Sequence, residues 1–176
     1  QSQNRNKMST SIQWKWYGML LLTVAMQILF LRDLAIGNMA FCFLYVWALL
    51  KAPIQTPTGL LLLGAFALGW SVDIFYNTHG MHAFACVCIA MLRPLVFKVL
   101  TPANGYDERS SVSLAEMKAL WLFPYLFIML FTHHVILFFL EAMDGSLVGI
   151  SLLRAFFSAL LGILIFGLLE LFSQNK

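Results

Sequence analysis

The sequence predicts an all-α integral membrane protein of six transmembrane helices, and three observations carry that expectation: the composition, the spacing of the apolar runs and the placement of the cations. Of 176 residues, 61% are hydrophobic and 11% are charged, against roughly 25% charged in a soluble domain. With a mean hydropathy of +0.82, a particle this small has too little polar surface to cover a core in water. Eleven Lys and Arg against eight Asp and Glu leave a charge of +3. These cations are scattered between apolar runs instead of forming a basic stripe, which argues against nucleic acid as a partner. Cys42, Cys86 and Cys88 all lie inside apolar runs. Two cysteines two apart on one helix point to different faces, so no disulfide framework is expected.

A spanning helix needs about 20 mostly apolar residues, and six segments approach that length. The first covers about 16–31 and stops at Arg32 and Asp33. The second, 34–50, carries no charge and ends at Lys51 and Pro53. Pro53 and Pro57 bracket a turn into the third, 58–74, with Asp73 near its far end. The fourth, 80–100, holds Arg93, Pro94 and Lys98 in its last turns and ends at Thr101 and Pro102. The fifth, 114–140, opens with Ser113 and Glu116 at capping-box spacing. The sixth covers 147–172.

Lys and Arg in short loops favour the cytoplasmic side. With six spans and the N-terminus inside, Arg5, Lys7, Lys15, Lys51, Arg93, Lys98, Arg109, Lys118 and Lys176 all fall on or near that side, and Arg32 and Arg154 fall on the outer half. Both termini are therefore placed in the cytoplasm. Residues 1–7 read as a polar leader or upstream sequence, with Met8 as a natural start, and 8–176 as a single membrane domain. The first apolar run has no small-residue cleavage pattern and reads as a signal anchor. The one sizeable loop, about 103–112, is too short for a catalytic or nucleotide-binding domain. The chain has neither a phosphate-cradling glycine loop nor a repeat of about 20 to 50 residues.

An ionisable group in a spanning helix costs about 2.5 to 3.5 kcal/mol on insertion scales, so it usually faces protein or water. Several stand at similar depth in the outer half. Asp73 ends the third helix with Asn77 one turn on, and His79 and His82 flank Gly80. His133 and His134 lie in the fifth helix, Glu141 follows His134 by seven residues on nearly the same face, and Arg154 is about two turns into the sixth. These residues are expected to form a polar, outward-facing cluster in which Arg154 pairs with Asp73 or Glu141. The plainer alternative is that Asp73, Glu141 and Arg154 snorkel to the headgroups and that the histidines bond between helices. There is no HExxH, no nucleophile elbow and no Cys–His pair at a recognisable spacing. The expectation is no catalytic residue, no metal site and no cofactor.

Ala65 with Gly69, and Ser158 with Gly162, have the small-xxx-small spacing that lets helices approach closely, and are expected to pack helices together. Pro94 and Pro124 should kink their helices. Trp14, Trp16, Tyr17, Trp47, Trp70, Tyr76 and Trp121 fall near the expected interfaces, as belt residues do.

The stretch Gly69-Trp70-Ser71-Val72-Asp73-Ile74-Phe75-Tyr76-Asn77-Thr78-His79-Gly80-Met81-His82-Ala83, followed by Leu92-Arg93-Pro94, resembles the bacterial rod shape-determining protein MreD family. Gly105-Tyr106-Asp107-Glu108 and the run from His133-His134 to Glu141 add to the likeness, which extends over nearly the whole chain in its order of features. The resemblance implies a non-enzymatic, multi-pass subunit of the inner membrane in the cell-wall elongation machinery. Its implied partners are the lipid bilayer, the bitopic protein MreC, and beyond it the glycosyltransferase RodA, its penicillin-binding transpeptidase and MreB filaments. That family is also similar to the six-helix substrate-binding subunits of energy-coupling-factor transporters. This kinship supplies the rival reading, a vitamin-type transport subunit whose outer polar cluster lines a ligand pocket. The loop charges Lys98, Asp107, Glu108, Arg109 and Lys118 could touch a filament or stay solvated near the headgroups.

Overall fold

The computed structural model describes residues 18–32, 34–102, 105–106, 111–143 and 145–174. The leader, Trp14, Trp16, Tyr17, the loop charges Asp107, Glu108 and Arg109, and Lys176 lie outside these residues. Helix α1 covers Gly18–Phe30. It is followed by strands β1 (Ala35–Ile36) and β2 (Ala40–Phe41), then by helices α2 (Tyr45–Leu50), α3 (Thr58–Tyr76), α4 (Met81–Val99), α5 (Leu114–Met117) and α6 (Ala119–Ala142). A 3-10 turn at Gly145–Leu147 leads into α7 (Val148–Gln174).

Among the described residues, four helical segments are long and apolar enough to cross a membrane: Thr58–Tyr76, Met81–Val99, Ala119–Ala142 and Gly145–Phe172. At about 1.5 Å per residue, 19 residues reach nearly the ~30 Å of a hydrocarbon core. The chain is a mostly helical membrane protein. Helix α3 packs on α4, α4 on α6, and α6 on α7, so consecutive long helices run antiparallel and the bundle has two ends. The turn end holds residues 77–80 and the α6–α7 junction. The loop end holds residues 51–57, 100–102, 105–106 and 111–118.

The second predicted span does not exist as a helix. Residues 34–50 instead form the β1–β2 hairpin, with Ala35 opposite Phe41 and Ile36 opposite Ala40, and then the single short helix α2. Gly37 and Asn38 turn the hairpin with φ of 60° and 55°. This suits glycine, which lacks a Cβ, and asparagine, which tolerates the left-handed region. Backbone broken in this way is tolerated at membrane depth only inside protein. The later part of the stretch is enclosed in this way, with Tyr45, Val46, Ala48, Leu49, Leu50 and Ala52 0–1% exposed in the core, whereas β1 at the start of the hairpin is exposed.

The start of the fifth predicted span is also corrected. Leu114–Met117 is a separate turn, and Lys118, at φ 63° and ψ 162°, breaks it from α6. Ser113 does cap α5, accepting from Glu116 N at 3.4 Å. The Glu116 carboxylate reaches past Ser113 and accepts from Ser111 N, so the reciprocal half of the box is displaced by two residues. Both internal prolines, Pro94 and Pro124, lie within continuous helices. Of the belt aromatics that are described, Trp70 is exposed, but Trp121 is buried. Its indole N–H donates to the Tyr106 hydroxyl at 3.1 Å, and its ring stacks 5.0 Å from Tyr125.

Candidate functional site: buried polar groups at the two ends of the bundle

At the turn end, α3 finishes in left-handed Asn77, and Gly80, at φ 94°, leads into α4. A helix start exposes N–H groups that its own turns cannot satisfy. For α4 these are taken by a side chain from the preceding helix. Asp73 Oδ1 accepts from His82 N at 3.0 Å and Oδ2 accepts from Ala83 N at 2.8 Å. The Thr78 hydroxyl donates to Asp73 Oδ1 at 2.5 Å, which leaves its oxygen to accept from His82 Nδ1 at 2.9 Å. His82 Nδ1 also stands 3.1 Å from Asp73 Oδ1, so that nitrogen carries the proton.

The spacing Gly69-x-x-x-Asp73 has a mechanical reason. A Cβ on Gly69 would land on the backbone of Ala83 and His82. Glycine therefore lets α3 and α4 touch one turn before Asp73, and Asp73 then stands against the first amides of α4. Asp73 is 4% exposed, and four hydrogen bonds to its carboxylate offset the cost of burying its charge.

Around this turn the structure brings together His82, His133 and His134 but no ion pair to Arg154. The Phe43 ring, from the stretch before α2, lies between the three imidazoles, with centroids 5.7, 6.1 and 5.4 Å away. His133 Nε2 meets the Tyr45 hydroxyl at 2.9 Å, and His134 Nδ1 donates to Leu130 O at 2.5 Å. Asn77, His79 and Glu141 are exposed, and Arg154 is half-buried. Among the described residues neither Asp73 nor Glu141 comes within ion-pair distance of Arg154. The expected pairing is thus corrected, because the backbone of α4 claims Asp73. Glu141 sits in the last turn of α6, where the bundle no longer covers the face that buries His134. Among the described residues no group of three His, Cys, Asp or Glu side chains is placed to hold a metal ion.

The small residues pack inside the chain. Ala65 is fully buried, Gly69 meets α4, and a Cβ on Gly162 would come within 3.0 Å of Leu130 on α6. Ser158 has a further task, because its hydroxyl accepts from Phe41 N at 2.9 Å and anchors the hairpin to α7.

Gln27 on α1 went unnoticed in the sequence, yet it closes the break before α2. Its Oε1 accepts from Leu44 N at 2.6 Å, and its Nε2 lies 3.1 Å from Cys42 O and 2.8 Å from the Tyr76 hydroxyl. The signal available was an amide side chain within a run that is apolar but for Thr23.

The loop end solves the opposite problem. Helix α2 finishes in the interior, and its last carbonyls need donors. Arg93, from α4, donates to Ala52 O, to Pro53 O at 3.4 Å and to the Tyr125 hydroxyl at 3.1 Å. Tyr125 passes its own proton to Leu50 O at 3.1 Å. The guanidinium also stands 4.5 Å from the Phe97 centroid, within cation–π range. Glu170 on α7, a second residue the sequence reading did not single out, accepts from Lys51 Nζ at 2.6 Å and from Leu114 N, the first amide of α5, at 3.1 Å. In the loop, burial pushes the Tyr106 phenol up, partly offset by its hydrogen bonds with Trp121 and Thr101.

Along α7, Ser158 holds Phe41 and Glu170 holds Lys51. These α7 positions are about 18 Å apart on the helix axis at ~1.5 Å per residue. The stretch from β2 through α2 therefore runs lengthwise through the bundle. In comparisons with known proteins, no family model, no curated protein and no solved structure matches this chain.

Proposed function

We propose that this chain is a non-enzymatic scaffold subunit of the bacterial cell-wall elongation machinery, of the MreD kind, which crosses the inner membrane six times with both termini in the cytoplasm. In this reading the first crossing is α1 and the second is the broken stretch through β2 and α2. The described cations support the orientation. Lys51, Arg93, Lys98 and Lys118 gather at the loop end, and Arg32 and Arg154 stand toward the turn end, as the excess of Lys and Arg on the cytoplasmic side leads one to expect.

The observation that carries the scaffold reading is the plugged interior at the turn end. A vitamin-type transport subunit needs open volume lined by the turn-end polar groups, whereas here Phe43 and Tyr45 fill the space between His82, His133 and His134. Asp73, the centre of the stretch that resembles the family, is spent on the backbone of α4. A rigid turn of this kind suits a protein that presents fixed surfaces to a bitopic partner such as MreC, and through it to RodA, the transpeptidase and MreB filaments.

The test is a mild-detergent pull-down of the tagged chain from its native membrane, with mass spectrometry of proteins and small molecules. The scaffold reading expects an MreC-like bitopic protein in the eluate, and less of it with Asp73→Ala compared at equal amounts of folded protein. A vitamin-like ligand recovered with an ATPase module would replace this reading with the transport one.

A further inference from the structure

We infer that the groove between α1 and α3 is a binding site for one membrane phospholipid, with an acyl chain in the groove and the phosphate at Arg32. Helices α1 and α3 meet near the turn end, where the Gln27 amide reaches the Tyr76 hydroxyl at 2.8 Å. Away from that contact they leave a cavity of about 570 Å³ between them. That volume is within the range of about 300 to 1,000 Å³ typical of single-ligand sites.

Its lining decides the chemistry. Gly64, Ala67 and Ser71, at three- and four-residue spacing on one face of α3, make a shallow floor, and Val24, Ile28 and Phe75 make apolar sides. Ser71 is no polar handle for a ligand, because its hydroxyl donates to Leu68 O at 2.6 Å. A site with apolar walls and no free polar group at its floor accepts a hydrocarbon chain and nothing charged.

The charge stands at one end of the groove. Arg32 follows Leu29, a lining residue, by three positions, and its guanidinium lies over the Tyr76 ring at 5.6 Å from the centroid. Among the described residues no carboxylate comes within ion-pair distance of it. Tyr76 thus holds a cation at headgroup level above an apolar slot, and a phosphate is the anion that a bilayer offers at that depth. A polypeptide helix would meet the same slot without a partner for Arg32, which favours the lipid as occupant. This inference needs only that the chain is a membrane protein and does not depend on the scaffold reading.

The experiment is native mass spectrometry of the full chain released from nanodiscs containing equal amounts of phosphatidylglycerol and phosphatidylcholine. The expected result is one retained phospholipid, enriched in phosphatidylglycerol by about fivefold, the worth of one cation near the surface. Arg32→Gln should keep a bound lipid but erase the headgroup preference. Ala67→Phe, a change at a lipid-facing position, should fill the groove and remove the retained lipid with unchanged thermal unfolding. The inference is overturned if the wild type retains no lipid, if Arg32→Gln leaves the preference intact, if Ala67→Phe retains as much as the wild type, or if a second copy of the chain takes the lipid's place.

Discussion

The turn end buries an anion, Asp73, whereas the loop end buries a cation, Arg93, beside a second anion, Glu170, and each sign matches the backbone it faces. At the turn end the orphaned groups are N–H donors at the start of α4, and an anion, Asp73, accepts from them. At the loop end they are the carbonyls that follow α2, and a cation, Arg93, donates to them. Glu170 repeats the first pattern at the start of α5. The difference teaches that these buried ions act as helix caps supplied from neighbouring elements, placed as the partial charges of helix termini require. In lipid, where water cannot replace a lost partner, such caps are worth more than at a wet surface.

This account orders a set of substitutions by expected effect. Arg93→Met should be the most damaging, since one side chain serves Ala52, Pro53 and Tyr125. A loss of about 4 kcal/mol is expected, from hydrogen bonds to a charged group at roughly 1.5 to 3 kcal/mol each, read by equilibrium unfolding in mixed micelles. Asp73→Ala should cost about 3 kcal/mol in the same assay, because it frees the amides of His82 and Ala83. Gly69→Val forces α3 and α4 apart at Ala83 and should cost about 2 to 3 kcal/mol as overpacking. Gln27→Leu strips Leu44 N and Cys42 O of their partner and should cost about 2 kcal/mol. Glu141→Gln, on an exposed side chain that caps nothing among the described residues, should stay within about 0.5 kcal/mol. A Glu141 effect as large as that of Asp73 would break the distinction between capping and exposed charges.

The long uninterrupted helices were legible from the sequence. Residues 58–74, 80–100 and 147–172 appear as Thr58–Tyr76, Met81–Val99 and Val148–Gln174, because sustained apolar runs have few other ways to satisfy their backbone. The 34–50 stretch misled because its uniform apolarity fits a buried irregular segment as well as a span. Gly37-Asn38, flanked by Ala35–Ile36 and Ala40–Phe41, was the available hairpin signal. Lys118 interrupts α5 and α6 without a glycine or proline to announce it.

At the site, the depth of Asp73, His82, His133 and His134 was readable, but the direction each faces was not. Position along a helix fixes level, whereas pairing needs the angle around the bundle axis. Hence the pairing expected of Arg154 with Asp73 or Glu141 is not found, and Glu170, near the end of α7, carries in the sequence no sign of its partners Lys51 and Leu114 N.

The most direct test of the capping account is amide hydrogen exchange at His82 and Ala83 in the full chain in nanodiscs, wild type against Asp73→Asn. The account predicts strong protection of both amides in the wild type. In the variant it predicts loss of about 2 kcal/mol of local opening energy, or roughly 30-fold faster exchange, with the middle of α4 from Ile89 to Arg93 unchanged. Equal protection at His82 and Ala83 in both proteins would contradict it.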